Sequence, residues 1–227
     1  MKKHIPNTIT CCNLISGCIA VWFAFQGSYE YALLFIVVGA VFDFFDGMAA
    51  RLLHVSSPIG KELDSLADNI TFGFAPSAMI FDYLCSFHIH ISALPWLAFV
   101  MAAFSALRLA KFNLDERQAL GFIGLPTPAN APFWGSLIVG TGDVIGTIPS
   151  APWFVLAGMF VSCYLLVAEI PMFALKFKSW GWHGNEVKYL FILTCIPLLL
   201  LLGISGLAAV IAWYVVLSAF TQRKSSY

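Results

Sequence analysis

Long apolar stretches with almost no charged residues recur along the whole chain, and they restrict its fold more than any other sequence feature. A helix needs about 20 apolar residues to cross the hydrocarbon core of a bilayer. Stretches near that length lie at 8–26, 30–53, 62–87, 93–113, 128–146, 152–175, 187–203 and 205–222. Only 11% of the residues are charged, whereas soluble domains have about 25%. The sequence therefore predicts an all-α polytopic membrane protein with about eight transmembrane helices.

The placement of the 12 Lys and Arg residues tests this helix count. They lie next to the first span, between spans two and three, four and five, and six and seven, and after span eight (Lys2, Lys3, Arg51, Lys61, Arg108, Lys111, Arg117, Lys176, Lys178, Lys188, Arg223 and Lys224). The alternate loops, near 27–30, 88–92, 147–151 and 204, contain none. Since basic residues concentrate in cytoplasmic loops, both termini are predicted to be cytoplasmic. The formal net charge of zero does not favour nucleic-acid binding.

Four aspartates lie near the predicted cytoplasmic ends of spans two and three. A charged side chain inside a membrane costs about 2.5–3.5 kcal/mol on insertion scales, so such residues are rare and functional. Asp43 and Asp46 are spaced i, i+3, and Asp64 and Asp68 are spaced i, i+4, so each pair shares one helical face. Gly60 lies one turn before Asp64 on the same face. Two antiparallel helices joined by a short loop can bring all four carboxylates into one polar cleft.

Clustered carboxylates repel one another unless a cation compensates their charge. Oxygen ligands without a nearby His or Cys suit Mg²⁺ or Mn²⁺ better than zinc. Two such ions bridged by carboxylates are a recurrent arrangement for phosphoryl transfer. Gly47 leaves room for a diphosphate, and Arg51 can bind its oxygens bidentately. The residues alone leave open a proton or cation pathway, or neutralisation of the carboxylates by Arg51 and Lys61.

The pattern D-x2-D-G-x2-A-R-x8-G-x3-D-x3-D, which runs from Asp43 to Asp68, resembles the signature of the CDP-alcohol phosphotransferases at every fixed position. The resemblance covers roughly the first six spans. It implies transfer of a phosphatidyl group from a CDP-linked lipid to an alcohol, with release of CMP. It also implies one integral-membrane catalytic domain over 1–227, with a six-helix core in 1–175 and two additional helices in 187–222.

The resemblance also implies roles for individual residues. Asp43, Asp46, Asp64 and Asp68 would be ligands of two Mg²⁺ or Mn²⁺ ions, and Asp68 would also be the general base for the acceptor hydroxyl. The CDP-lipid would be bound by Asn7, Thr10, Gly47, Arg51, Ser57 and Gly60. For Asn7 and Thr10 a second interpretation stays equally open, namely a helix start with Pro6 in its first turn and polar caps.

Further stretches resemble the phosphatidylserine synthase branch of this family. They are 6–13, 65–76, 106–113 and 121–128. Serine carries a carboxylate and an ammonium group, so its site needs a cation and oxygen acceptors. Arg108, Lys111 and Asn113 are the expected serine-binding residues, although Arg108 and Lys111 also fit ordinary positive-inside anchoring. Glu169, in predicted span six, either faces the cleft or pairs with a basic residue.

The sequence is therefore compatible with three functions. The favoured one uses CDP-diacylglycerol and L-serine in a bacterial inner membrane, with the active site facing the cytoplasm and a possible homodimer. The second keeps the chemistry but uses glycerol phosphate or inositol phosphate, which need more cationic contacts than a serine carboxylate does. The third is a cation-coupled transporter, which would place its acidic residues near the bilayer midplane and break its helices there. The aspartates cluster near the cytoplasmic boundary instead.

Overall fold

The computed structural model describes residues 4–55, 57–87, 91–115, 122–173, 181 and 185–222. Within these residues eight helices follow one another along the chain. They are α1 (His4–Phe25), α2 (Tyr29–Leu52), α3 (three joined segments, Pro58–Asp68, Asn69–Phe74 and Ala75–Cys85), α4 (Leu94–Leu114), α5 (Thr127–Gly146), α6 (Ala151–Val167), α7 (Glu186–Leu202) and α8 (Ser205–Gln222). Each helix coincides with one predicted stretch, so the all-α prediction is confirmed.

The exterior of the helices is apolar, as lipid contact requires. Among the described residues, α1, α2 and α4 are each long and apolar enough to cross a membrane, and α6 and α8 are shorter apolar helices. Large hydrophobic side chains such as Trp22, Phe160 and Leu200 are exposed. Water-soluble monomers rarely expose apolar surface so extensively. These features agree with a polytopic membrane protein.

Helix α3 changes its winding in the middle. It begins at Pro58, before the predicted start at 62, because Ser57 caps it and accepts a hydrogen bond from the Gly60 amide at 3.0 Å. The backbone is α-helical to Asp68, π-helical from Asn69 to Phe74, and α-helical again from Ala75. π-helical turns are rare and occur frequently at functional sites. This one follows Asp68 directly.

Helices α1, α2 and α3 approach one another closely at the π-helical turn. A Cβ atom on Gly17 would lie 2.9 Å from the backbone of Thr71. A Cβ atom on Gly39 would lie 2.5 Å from Cγ2 of Thr71 and 3.0 Å from Oδ1 of Asn13. Small residues at such contacts let helix backbones approach within a membrane. On the other side, a Cβ atom on Gly73 would lie 2.8 Å from that of Ser105, so α4 packs equally closely.

Helix α6 ends at Val167, so the prediction of a span over 152–175 was wrong at its C-terminal end. Ala168 takes an extended conformation, and the chain then forms β2 (Pro171–Met172), which pairs antiparallel with β1 (Phe122–Ile123). Proline at this point lacks the amide hydrogen that a continued helix requires. Positions 174 and 175 lie outside the described residues.

The segment after α6 is attached to the loop before α5 by backbone hydrogen bonds. The Gly124 amide donates to the Ile170 carbonyl and the Leu125 amide to the Leu165 carbonyl, each at 2.8 Å. Gly124 has φ +74°, and a Cβ atom there would lie 2.9 Å from the Ala168 carbonyl oxygen. Glu169 therefore lies in a bonded segment beyond the helix, and its predicted position within a helix was wrong.

One large hydrophobic core joins helices α1 to α6, with buried side chains that include Ile36, Met79, Trp134 and Met159. A smaller cluster of Leu125, Met172 and Ile211 connects α8 to this body. Helix α8 packs against α5 and α7. The last two helices are therefore attached to the core mainly through α5 and the β1–β2 segment.

Candidate active site

Three of the four aspartates lie together at one end of α2 and α3. One carboxylate oxygen each from Asp43, Asp64 and Asp68 lies within 4.8 Å of the other two. Asp68 is buried, with 7% of its surface exposed, and the other two are partly buried. The i, i+4 spacing of Asp64 and Asp68 places both on the face of α3 that meets α2. These residues form the carboxylate cluster.

Asp46 is buried one turn from Asp43 and is held by helix α1. Its Oδ2 accepts a hydrogen bond from Oγ1 of Thr10 at 2.6 Å, and the same hydroxyl lies 3.0 Å from the Pro6 carbonyl. Thr10 was predicted to contact the nucleotide, whereas its hydroxyl contacts Asp46 here. The fourth aspartate is thus positioned by a hydrogen bond from α1.

Asn13, which was not among the predicted site residues, orients Asp68. Its side-chain Nδ2 donates to Oδ1 of Asp68 at 3.1 Å, and its backbone carbonyl accepts from Oγ1 of Thr71 at 3.1 Å. Asn13 and Thr71 are fully buried. The i, i+3 spacing of Thr10 and Asn13 indicates this arrangement, because it puts two polar side chains on one face of a largely apolar helix.

A cavity of about 250 Å³ adjoins the carboxylate cluster. Its lining includes five of the six residues predicted to bind the CDP-lipid, namely Asn7, Thr10, Gly47, Ser57 and Gly60. Asp46, Lys61 and Asp64 also line it. A Cβ atom on Gly47 would meet no described atom within 4 Å, so the cavity is open there. Arg51 is exposed in the last turn of α2 and is not part of this lining.

Arg108 lies on α4 beside the carboxylate cluster. Only 6% of its surface is exposed, and its Nη1 donates to Oγ1 of Thr127 at 3.1 Å. The guanidinium lies 5.2 Å from the centroid of the Phe112 ring. Its Nε is buried and has no hydrogen-bond partner within the part of the chain that the structure describes. The Asp68 carboxylate lies within Coulombic range of this guanidinium.

A second cavity, of about 360 Å³, opens beside Arg108. Lys111, exposed one turn further along α4, lines it too. Asp115 and Glu169 line it as well. Two of the three predicted serine-binding residues therefore share one cavity.

Asn113, the third predicted serine-binding residue, is not part of that lining and connects α4 to α3. Its side-chain Nδ2 donates to Oγ of Ser65, and its backbone carbonyl accepts from Nζ of Lys61, each at 2.8 Å. Asn113 therefore positions Lys61, which lines the first cavity.

The donors of the carboxylate cluster fit a hard divalent cation. Asp43, Asp64 and Asp68 offer only oxygen ligands, which Mg²⁺ and Mn²⁺ prefer. Three carboxylates this close need a compensating positive charge. The cluster could therefore hold a metal ion.

Thr10→Val tests whether Thr10 positions Asp46. The substitution removes the hydroxyl and leaves a buried carboxylate oxygen without its donor, so we expect the free energy of unfolding to fall by about 1–3 kcal/mol. The thermal unfolding midpoint of the purified protein in detergent should fall, and Thr10→Ser should restore it. An unchanged midpoint with a raised KM for the CDP-lipid would instead favour the nucleotide contact.

Comparison with known proteins agrees with this arrangement. The family model for CDP-alcohol phosphatidyltransferases matches residues 3–133, which include both aspartate pairs. A relative from Bacillus subtilis, named CDP-diacylglycerol–serine O-phosphatidyltransferase, is 36% identical over 81% of this chain and 95% of its own length. Relatives with the same name from Helicobacter pylori and Saccharomyces cerevisiae are 35% and 36% identical. The matched regions cover 53% and 50% of those two proteins. The chain belongs to the CDP-alcohol phosphatidyltransferase family and is an integral membrane protein.

Proposed function

We propose that the protein transfers the phosphatidyl group of CDP-diacylglycerol to the hydroxyl of L-serine, which yields phosphatidylserine and CMP for phospholipid biosynthesis. The observation that carries the proposal is the position of Arg108. It is a buried cation with an unpaired Nε among the described residues, and it lies beside Asp68 of the carboxylate cluster. A buried arginine next to the reacting centre suits an acceptor that carries its own carboxylate.

The first cavity is the proposed site for the nucleotide and diphosphate of CDP-diacylglycerol. Gly47 leaves its wall open to the diphosphate, and Lys61 supplies a positive charge. Asn7, Ser57 and Gly60 lie close together at its rim, since a Cβ atom on Gly60 would lie 3.0 Å from Ser57 Oγ and 3.1 Å from Asn7 Oδ1. Arg51, exposed at the end of α2, is proposed to reach the diphosphate from outside the cavity.

The second cavity is the proposed serine site. Arg108 would bind the serine carboxylate with its forked donors, while Thr127 and Phe112 fix the plane of the guanidinium. Lys111 would add positive charge at the rim. Asn113 would act indirectly, by holding Lys61 and Ser65 between the two cavities.

Two Mg²⁺ or Mn²⁺ ions are proposed to bind at Asp43, Asp46, Asp64 and Asp68. When bound, they would neutralise the diphosphate oxygens and the charge that develops on them. Thr10 donates a hydrogen bond to the Asp46 carboxylate, and Asn13 donates one to the Asp68 carboxylate. These hydrogen bonds fix the carboxylates before substrate binds, which lowers the cost of assembling the site.

The proposed reaction is a direct displacement. Asp68 would accept the proton of the serine hydroxyl as the new bond forms between the serine oxygen and the phosphorus that carries the diacylglycerol. The bond from that phosphorus to the bridging oxygen breaks, and CMP leaves with the electron pair. Asn13 donates to Oδ1 of Asp68, so Oδ2 is the oxygen proposed to receive the proton.

The proposed location is a bacterial inner membrane, with both termini and the active site at the cytoplasmic face. The carboxylate cluster and Arg108 lie toward the ends of α2, α3 and α4 at which Arg51, Lys61 and Lys111 also lie. Basic residues near the ends of membrane helices concentrate on the cytoplasmic side. The six-helix core within 1–175, the two additional helices in 187–222 and a homodimer remain parts of this proposal.

The proposal is tested by measuring CMP release from CDP-diacylglycerol with purified protein in Mg²⁺ or Mn²⁺. We expect kcat/KM for L-serine to exceed that for glycerol 3-phosphate or inositol phosphate by about 100-fold or more, because a site that binds the acceptor through its polar groups discriminates strongly. Phosphatidylserine should form in equal amount to CMP. Equal rates with all three acceptors would refute the serine assignment but keep the reaction class.

A further inference from the structure

The cavity beside Arg108 has an acidic wall as well as a basic one. We propose that Glu169 binds the ammonium group of the acceptor amino acid and thereby makes the site selective for a zwitterion. This inference rests on the proposed serine acceptor. Glu169 was outside the set of residues predicted from the sequence to bind substrate, and it lies beyond the residues that the family model matches.

The basic wall comes from α4. Arg108 is buried and keeps a buried Nε without a partner among the described residues, which points to an anionic ligand. Lys111 lies on the same wall. A carboxylate bound there would project the rest of a small amino acid into the cavity of about 360 Å³.

The acidic wall comes from the end of α6. Ala168 and Glu169 line the cavity, and backbone hydrogen bonds on either side, from Leu125 to Leu165 and from Gly124 to Ile170, fix this segment. Glu169 is therefore presented by a fixed backbone. Glu169 lies between the end of α6 at Val167 and the start of β2 at Pro171, so its place in the cavity lining depends on the early end of α6.

Helix α6 adds to the attraction for a cation. The C-terminal end of a helix carries a partial negative charge of about half an elementary charge. Leu166, Val167 and Ala168, at this end of α6, all line the cavity. A protonated amine between this helix end and Glu169 would be stabilised by both.

The two carboxylates that line the cavity disfavour a phosphorylated acceptor. Asp115 and Glu169 would repel the two negative charges of a phosphate monoester, whereas a zwitterion offers an ammonium group to a carboxylate and a carboxylate to Arg108. The site would therefore select serine over a phosphorylated acceptor in two ways, by attracting the ammonium group and by repelling the phosphate. Of the two carboxylates, Glu169 comes from the segment after α6, a different element from the one that carries Arg108, while Asp115 directly follows α4 and its amide donates to the Lys111 carbonyl.

The test compares acceptors that lack one charged group each. CMP release is measured for L-serine, and 3-hydroxypropanoate, which lacks the ammonium group, is tested as substrate and as inhibitor against serine. The variants are Glu169→Gln, Glu169→Asp and Asp115→Asn. Glu62→Gln is the matched control, because Glu62 is exposed on α3 and lines neither cavity. The rise in the thermal unfolding midpoint on addition of CDP-diacylglycerol measures binding, and it shows whether each variant is folded.

We expect Glu169→Gln to raise the KM for serine by about 10- to 100-fold, as loss of one charge-assisted hydrogen bond does, with kcat changed by less than about threefold. The inhibition constant of 3-hydroxypropanoate should not rise, because this ligand has no ammonium group to lose. Glu169→Asp should recover part of the affinity for serine, and Glu62→Gln should behave as the unmodified protein.

Three outcomes would overturn the inference. They are an unchanged KM for serine in Glu169→Gln, an equal loss for serine and 3-hydroxypropanoate, and an ammonium-specific loss in Asp115→Asn instead. Absence of serine-dependent CMP release in the unmodified protein would be a different failure, since it refutes the proposed function itself. The two failures are therefore distinguished by the first measurement on the unmodified protein.

Discussion

Asp68→Asn is expected to lower kcat by roughly 10²–10⁴-fold, the range that a positioned general base contributes. The amide has the size of the carboxylate but cannot accept the proton of the serine hydroxyl. The hydrogen bond from Asn13 Nδ2 survives, because the amide keeps an oxygen that can face it. The nucleotide cavity is not lined by Asp68, so the affinity for CDP-diacylglycerol should change far less than kcat.

Single-turnover CMP release measures the chemical step, and thermal stabilisation by CDP-diacylglycerol measures binding. Asp82→Asn is the matched control, since Asp82 lies on the same helix far from the carboxylate cluster and accepts a hydrogen bond from the Tyr29 hydroxyl at 2.8 Å. That variant should keep its turnover rate within about threefold of the unmodified protein, as distant sites act independently. Normal turnover in Asp68→Asn would remove Asp68 from the base role.

Arg108→Gln is expected to raise the KM for serine by roughly 30-fold or more. Truncating one partner of a buried charge pair costs about 2 kcal/mol at least, and each 1.4 kcal/mol is about a tenfold change in affinity. Glutamine can still donate to Thr127, so the helix packing should survive, but the positive charge is lost. Initial rates at varied serine and varied CDP-diacylglycerol separate the two KM values.

Arg108→Lys should give an intermediate KM for serine, because lysine keeps the charge but lacks the planar fork that binds a carboxylate with two donors. Lys111→Met serves as the comparison. Lys111 is exposed, and exposed ion pairs contribute about 0–1 kcal/mol, so its effect should stay below about fivefold. If the KM for CDP-diacylglycerol rose as much as that for serine, Arg108 would belong to the lipid-nucleotide site.

The sequence was sufficient to predict the helices and the carboxylate cluster because both follow from local rules. Hydropathy fixes where a chain can cross a bilayer, and helical spacing fixes which side chains share a face. The pairs Asp43 with Asp46 and Asp64 with Asp68 needed only those two rules. The meeting of α2 and α3 followed from the short loop between them.

Contacts between distant helices could not be predicted in the same way. The hydrogen bond from Thr10 to Asp46 joins residues 36 positions apart, and that from Asn13 to Asp68 joins residues 55 apart. Their formation depends on how α1 rotates against α2 and α3, which glycines such as Gly17 and Gly39 decide. The early end of α6 likewise depends on the pairing of β2 with β1, a strand about 50 residues earlier, and hydropathy does not predict that pairing.

The π-helical turn at Asn69–Phe74 divides α3 into two α-helical segments whose side chains point in independently set directions. Such a turn holds one more residue than an α-helical turn would, and one residue corresponds to about 100° of rotation. Removing a single residue from it would rotate Ala78 and Met79, both fully buried, away from the core, while Asp64 and Asp68 would keep their orientation toward α2. The part of α3 that carries the aspartates and the part that packs in the core are therefore oriented independently, and the extra residue of the π-helical turn allows one helix to do both.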